Sequence, residues 1–135
     1  MDRILFDKSG EAKACIADDY NQTIYLWDGS PVAYVYHDRQ VYGINGRYLG
    51  WFIEEIIYNK NGKRVGFTSA SCPVPISKVT GKSEKRAMDQ IRPKWSAPPT
   101  PKLAFNFAEQ DLADFLKEGQ VVRYRKEVPP EESTQ

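Results

Sequence analysis

One short pattern occurs four times in the first half of this chain, and it constrains the fold more than any other feature. Aligned on their glycines, the copies read LFDKSGEAKACI (Leu5 to Ile16), IYLWDGSPVAYV (Ile24 to Val35), VYGINGRYLGWF (Val41 to Phe52) and IYNKNGKRVGFT (Ile57 to Thr68). The glycines stand at 10, 29, 46 and 62, so successive copies are offset by 19, 17 and 16 residues. Each copy has an aliphatic residue, an aromatic, two variable positions, a Ser/Asp/Asn-Gly pair, three residues and then a small side chain.

Asp28-Gly29, Asn45-Gly46 and Asn61-Gly62 are strong signals for two-residue type I′ hairpin turns, because both central residues of that turn need positive φ. Ser9-Gly10 is the weakest copy. Such a turn fixes the register: the aliphatic five residues before glycine faces the small residue four after it, and the aromatic four before faces the residue three after. Alternation along each strand then sorts the side chains. One face gathers Phe6 with Cys15, Tyr25 with Val32 and Tyr34, Tyr42 with Leu49 and Trp51, and Tyr58 with Val65 and Phe67. The other sets Leu5 against Ala14, Ile24 against Ala33, Val41 against Gly50 and Ile57 against Gly66. The expectation is that these four aliphatics converge near a pseudo-four-fold axis, with aromatics between neighbouring hairpins. One hairpin is marginal alone, whereas four that bury one another's faces form a core.

The fourfold aromatic-x-x-(Asn/Asp)-Gly-x-x-(Val/Leu)-(Gly/Ala)-aromatic unit, followed by a proline-rich stretch and a short helical tail, resembles the bacterial four-fold beta-flower domain proteins. The likeness covers roughly residues 4 to 76 and is best in RYLGWFIEEIIYNKNGKRVGF. It implies a mainly β fold, with four tandem hairpins as petals about an axis, and a family without an assigned activity or set of functional residues. The first copy departs from the pattern, with Cys15 where the others have an aromatic.

The sequence divides into a repeat domain over 1–72, a proline-rich basic linker over 73–102, and a carboxy-terminal part over 103–135. Pro73, Pro75, Pro93, Pro98, Pro99 and Pro101 exclude sheet interior from the linker. Within it, Ser83 to Ile91 has the makings of a short helix ended by Pro93. Asn106 with Glu109 has capping-box spacing, and Leu112, Phe115 and Leu116 share a helical face before Gly119, so an amphipathic helix is expected over 107–118. Gln120 to Arg125 alternates as a strand would, and Val128 to Gln135 reads as a frayed tail. The helix either docks on the repeat domain or presents Leu112, Phe115 and Leu116 to a second protomer or another protein.

Composition narrows the function classes. At 135 residues, 41% hydrophobic and 27% charged, the chain lacks any apolar run long enough to span a bilayer. Met1 to Asp7 lacks the marks of a secretory signal, which points to a cytoplasmic protein without membrane partners. Two cysteines and one histidine cannot assemble a four-ligand Cys/His zinc site, and no cofactor motif occurs. Cys15 reads as a buried thiol.

The net charge of +1 hides a basic middle: residues 60 to 102 carry ten basic and two acidic groups. Lys78, Lys82, Lys85, Arg86, Arg92 and Lys94, with Trp95 among them, could neutralise phosphates while the indole stacks on a base; the competing reading is a solvated linker balancing acidic flanks. Trp27, Tyr36 and Tyr48, with Tyr20, fall outside the core pattern and are candidate contact groups for a sugar, peptide or protein partner. His37-Asp38 and Cys72 are the only hints of hydrolytic chemistry, while Asp18-Asp19 and Glu54-Glu55 recur where solvated turns belong. The leading expectation is a non-enzymatic interaction module whose partner is a protein, another copy of itself included; nucleic-acid binding through 78–102 is the alternative.

Overall fold

The computed structural model describes residues 2–79, 81–87 and 90–121. Eight strands follow in chain order: β1 (Arg3–Phe6), β2 (Ala12–Ile16), β3 (Thr23–Leu26), β4 (Pro31–Tyr36), β5 (Gln40–Gly43), β6 (Tyr48–Ile53), β7 (Ile56–Asn59) and β8 (Arg64–Phe67). Among the described residues one short helix follows, α1 (Leu112–Lys117). Each strand pairs antiparallel with the next, and Phe6 opposite Phe67 joins β1 to β8, so the four hairpins close into a barrel. Closure rests on that one pair, so among the described residues it is the narrowest join in the barrel. No helix of the described residues is long and apolar enough to cross a membrane.

The expected pairings Leu5–Ala14, Ile24–Ala33, Val41–Gly50 and Ile57–Gly66 all occur. Nearer the turns the register differs from the type I′ expectation. Phe6 faces Ala12, Tyr25 faces Pro31, Tyr42 faces Tyr48 and Tyr58 faces Arg64, each one residue closer to the turn than a two-residue loop allows. The reason lies in the backbone: only the glycine of each pair has positive φ, between 81° and 92°. Its N–H donates to the carbonyl three residues back at 2.9–3.0 Å, the geometry of a three-residue loop ending in a left-handed glycine. Lys13, Val32, Leu49 and Val65 are the extra, bulged residues. Val32, Leu49 and Val65 therefore turn into the interior cluster instead of joining the aromatic face. Between hairpins, Glu54-Glu55 is a true two-residue turn with positive φ at both residues, whereas His37 and Asp38, also at positive φ, belong to a three-residue loop with Arg39 between Tyr36 and Gln40.

Leu5, Ile24, Val41 and Ile57 are fully buried and share one cluster, as the alternation requires. Each contributes about 1.5–3 kcal/mol of burial. They do not fill the interior alone: Leu112, Phe115 and Leu116 of α1 join them, and Leu112 occupies the space where a Cβ on Gly66 would stand. The helix thus docks on its own barrel. It is shorter than expected, because Asp111, not Asn106, caps it by accepting from the Ala113 N–H at 3.0 Å. On the outside, Tyr34, Tyr42, Tyr48, Trp51 and Tyr58 form a second cluster spanning three hairpins, partly covered by Ile91, Ala97 and Val121. Cys15 is buried with Ala17 and Tyr25, and burial pushes its thiol pKa up.

The segment after β8 is a belt that touches all four glycine turns, not a free linker. The N–H groups of Ser77, Arg86, Trp95 and Ala104 donate to the carbonyls of Gly10, Gly29, Gly46 and Gly62 at 2.9–3.0 Å. The donors are nine residues apart at every step. Two residues before each donor, the carbonyl oxygens of Pro75, Glu84, Pro93 and Lys102 lie 2.0–2.4 Å from where a glycine Cβ would be. The turn glycines are therefore needed twice, for positive φ and for the belt's close approach. No helix forms over residues 83–87, whose backbone is committed to this contact. The expected strand from Gln120 to Arg125 lies outside the described residues beyond Val121, as does the tail from Val128.

Candidate functional site

Up-and-down order puts the four glycine turns at one rim of the barrel and the connectors between hairpins at the other. The glycine rim is covered by the belt and α1. The connector rim is left open by both.

A polar network ties the hairpins together there. Arg3 donates to Glu55 and to the Gln22 amide oxygen at 3.1 Å each, and Gln22 donates to the Asp38 carboxylate at 2.5 Å. Thr68 donates to Glu55 at 3.0 Å, and the Ser71 hydroxyl donates to the Glu55 carbonyl. The Arg3 guanidinium also lies 5.1 Å over the Phe52 ring.

Beside this network runs an open groove of about 430 Å³, lined by Tyr20, Asn21, Gln22, Tyr34, Val35, Tyr36, His37 and Asp38. Its walls are the β2–β3 and β4–β5 connectors. The first is the long one: the Gln22 N–H donates to the Asp19 carbonyl at 3.1 Å, Gln22 has φ of 49°, and Asp19 Oδ1 accepts from the Thr23 N–H at 2.9 Å. Tyr20 stands at its apex, 99% exposed. Across the groove the rings of Tyr36 and His37 stack at 3.9 Å, Tyr36 meets Tyr42 edge-on at 5.9 Å, and the Lys94 ammonium of the belt sits 4.5 Å over Tyr36. At the floor, burial pushes the Tyr34 phenol up to about 12. A second cavity of about 290 Å³, lined by Arg3, Gln22, Asp38, Phe52, Glu54 and Glu55, shares Gln22 and Asp38 with the groove.

Of the candidate contact groups, Tyr20 and Tyr36 reach this groove and Trp27 is half-buried at the opposite rim. Tyr48 is buried, since its ring meets Tyr42 and Trp51 edge-on at 5.2 Å each, and desolvation raises its pKa. Leu112, Phe115 and Leu116 face the barrel interior, so as partner contacts they are corrected to core. Sequence reading missed Asn21, Gln22 and Tyr34. The signal for the first two was the 19-residue offset between copies one and two, which exceeds the others and marks the lengthened connector.

The basic side chains are strung along the belt past three hairpins and do not form one face. Lys82 and Lys85 reach Asp2 at 3.6 and 2.6 Å, and that pairing holds the Asp2 carboxyl below its ordinary value and Lys85 above its own. Lys85 also lies 5.6 Å from the Tyr25 ring centroid. Lys78, Arg86 and Arg92 are exposed, and Trp95 is 58% exposed with Arg47 at 6.0 Å from its ring. Asp38 bonds to Gln22, and Cys72 does not line the groove that holds His37, so these groups do not assemble a nucleophile with a base. Among the described residues no group of three or more His, Cys, Asp or Glu side chains could hold a metal.

A barrel of four hairpins, bound at its turns by the chain's own belt and open at its connector rim, is a scaffold of the flower class. The chain belongs to the 4-fold beta flower protein family, whose model matches residues 3–116. That span takes in every strand, the belt and most of α1. No curated protein and no solved structure matches the chain.

Proposed function

We propose that this protein is a non-enzymatic binding module that holds its partner in the groove between the β2–β3 and β4–β5 connectors. The observation that carries this reading is Tyr20: a large aromatic, wholly exposed on a connector longer than its equivalents, contributes nothing to the core yet lines the most spacious described cavity. A volume of about 430 Å³ falls within the range that small-ligand and chain-segment sites occupy. The rest of the barrel acts as a rigid frame that sets the two connectors. The test is retention of host components on the immobilised full chain, compared with a Tyr20→Ala, Asn21→Ala double variant. Selective loss of one component supports the reading, and an unchanged retained set overturns it.

Nucleic-acid binding through the belt is the second reading, favoured by exposed Lys78, Arg86 and Arg92 in the same segment as a half-exposed Trp95. It predicts single-strand affinity that falls steeply with salt, measured by anisotropy of a labelled oligonucleotide. Undetectable or salt-independent binding removes it.

A further inference from the structure

The groove's chemistry narrows the ligand, and the inference rests on the binding reading above: we infer that it takes a neutral, hydroxyl-rich chain, an oligosaccharide segment. Charge excludes the strongly ionic alternatives first. Asp38 is the only carboxylate lining the groove and no Lys or Arg lines it: Arg3 bonds to Glu55 and Gln22, Lys94 lies over Tyr36, and the exposed Arg39 lies 5.9 Å from the Trp51 ring centroid. An anion would meet Asp38, and no Lys or Arg among the groove's lining residues offsets it. A polycation would have one carboxylate to answer several charges.

A peptide fits less well. Extended peptides dock by adding a strand to a sheet edge or by dropping apolar side chains into pockets. Here β3 and β4 are paired on both sides, and Val35 is the only aliphatic residue in the lining.

What the groove does offer suits a pyranose. The exposed Tyr20 ring presents a flat face whose negative π-density attracts the polarised C–H groups of a sugar. Around it stand donors and acceptors together. The Asn21 amide has no partner among the described residues, Asp38 gives Gln22 one carboxylate oxygen and keeps the other, and the phenols of Tyr20 and Tyr36 and the His37 ring complete the set. A sugar hydroxyl also donates and accepts at once, so such a mixed rim can satisfy several hydroxyls without burying a charge. The open trough admits a run of residues along its length.

The experiment titrates chitotriose, cellotriose and maltotriose into the isotope-labelled full chain and follows backbone amide shifts. Saturable shifts confined to residues 20–22 and 34–38 with at least one of these sugars are expected. Tyr20→Ala, which disturbs no packing, should weaken them by on the order of tenfold, and Asp38→Asn should weaken them while the rest of the spectrum is preserved. Neutral, acidic and basic hexapeptides form the second arm. Groove shifts from a peptide with all sugars silent would overturn the ligand class and leave the binding reading standing. Silence from both arms, or sugar shifts outside the groove, also overturns the class, and the retention experiment then judges the binding reading separately.

Discussion

The two rims of this barrel are made by the same chain repeat and treated in opposite ways. At the glycine rim four turns of equal geometry meet four equivalent belt contacts, each an N–H to carbonyl bond at 2.9–3.0 Å. At the connector rim no two links are alike: a long Asp19–Gln22 turn, His37-Asp38, Glu54-Glu55, and the ends of β1 and β8. Symmetry is kept where the fold needs it and broken where side chains are free to differ. This is the physical reason for seeking function at the second rim.

The sharpest way to break the comparison is to remove what covers the first rim. A chain ending near residue 76 lacks the belt and α1, and it should lose cooperative thermal unfolding altogether, because the interior cluster is then open to water. Leu116→Ala is the milder version, expected to cost about 2–5 kcal/mol in chemical denaturation. Paired backbone variants sharpen the contrast. Gly29→Ala puts a Cβ 2.0 Å from the Glu84 carbonyl at φ of 92°, and it should cost about 2 kcal/mol or more. Glu54→Gly at the open rim relieves a non-glycine residue at φ of 50° and should be neutral or stabilising by about 0.5 kcal/mol.

The smallest effect concerns Asp2, whose pairing with belt lysines is half-exposed and worth less than about 1 kcal/mol. Its folded pKa lies below the ordinary 3.8, so the stabilisation is present above that pH and is lost as acid titrates the folded carboxylate. Lys85 is raised above 10.5, so its share is present below that pH and lost as base titrates the folded ammonium. Asp2→Asn should therefore differ from the parent in urea midpoint at pH 7 and merge with it once acid has protonated the folded carboxylate.

The hairpins were legible because burial acts on side chains, and Leu5, Ile24, Val41 and Ile57 carry that signal at fixed distances from glycine. The bulges at Val32, Leu49 and Val65 were not, since an Asp-Gly or Asn-Gly pair suits either a two-residue loop or a three-residue loop with a left-handed glycine. Side chains solve that turn differently among copies. Asp7 and Asn59 open the turn and accept from the N–H groups two and four residues on, whereas Asp28 and Asn45 sit beside the glycine and accept from Ser30 and Arg47. Belt periodicity left almost no mark in the sequence, because its contacts use backbone N–H groups and carbonyls. Pro75 and Pro93, at equivalent positions two steps apart, are its main trace. Of the groove, the aromatics stood out as misfits to the repeat, but their assembly across two connectors needed the closed barrel.

A strap whose repeating contacts with its scaffold are made by peptide groups depends less on the identity of most of its residues than on its length. Several exchanges among residues 77 to 104 should pass with little effect. Deleting one residue would throw every later staple out of phase, so length is the property of this segment on which the molecule depends.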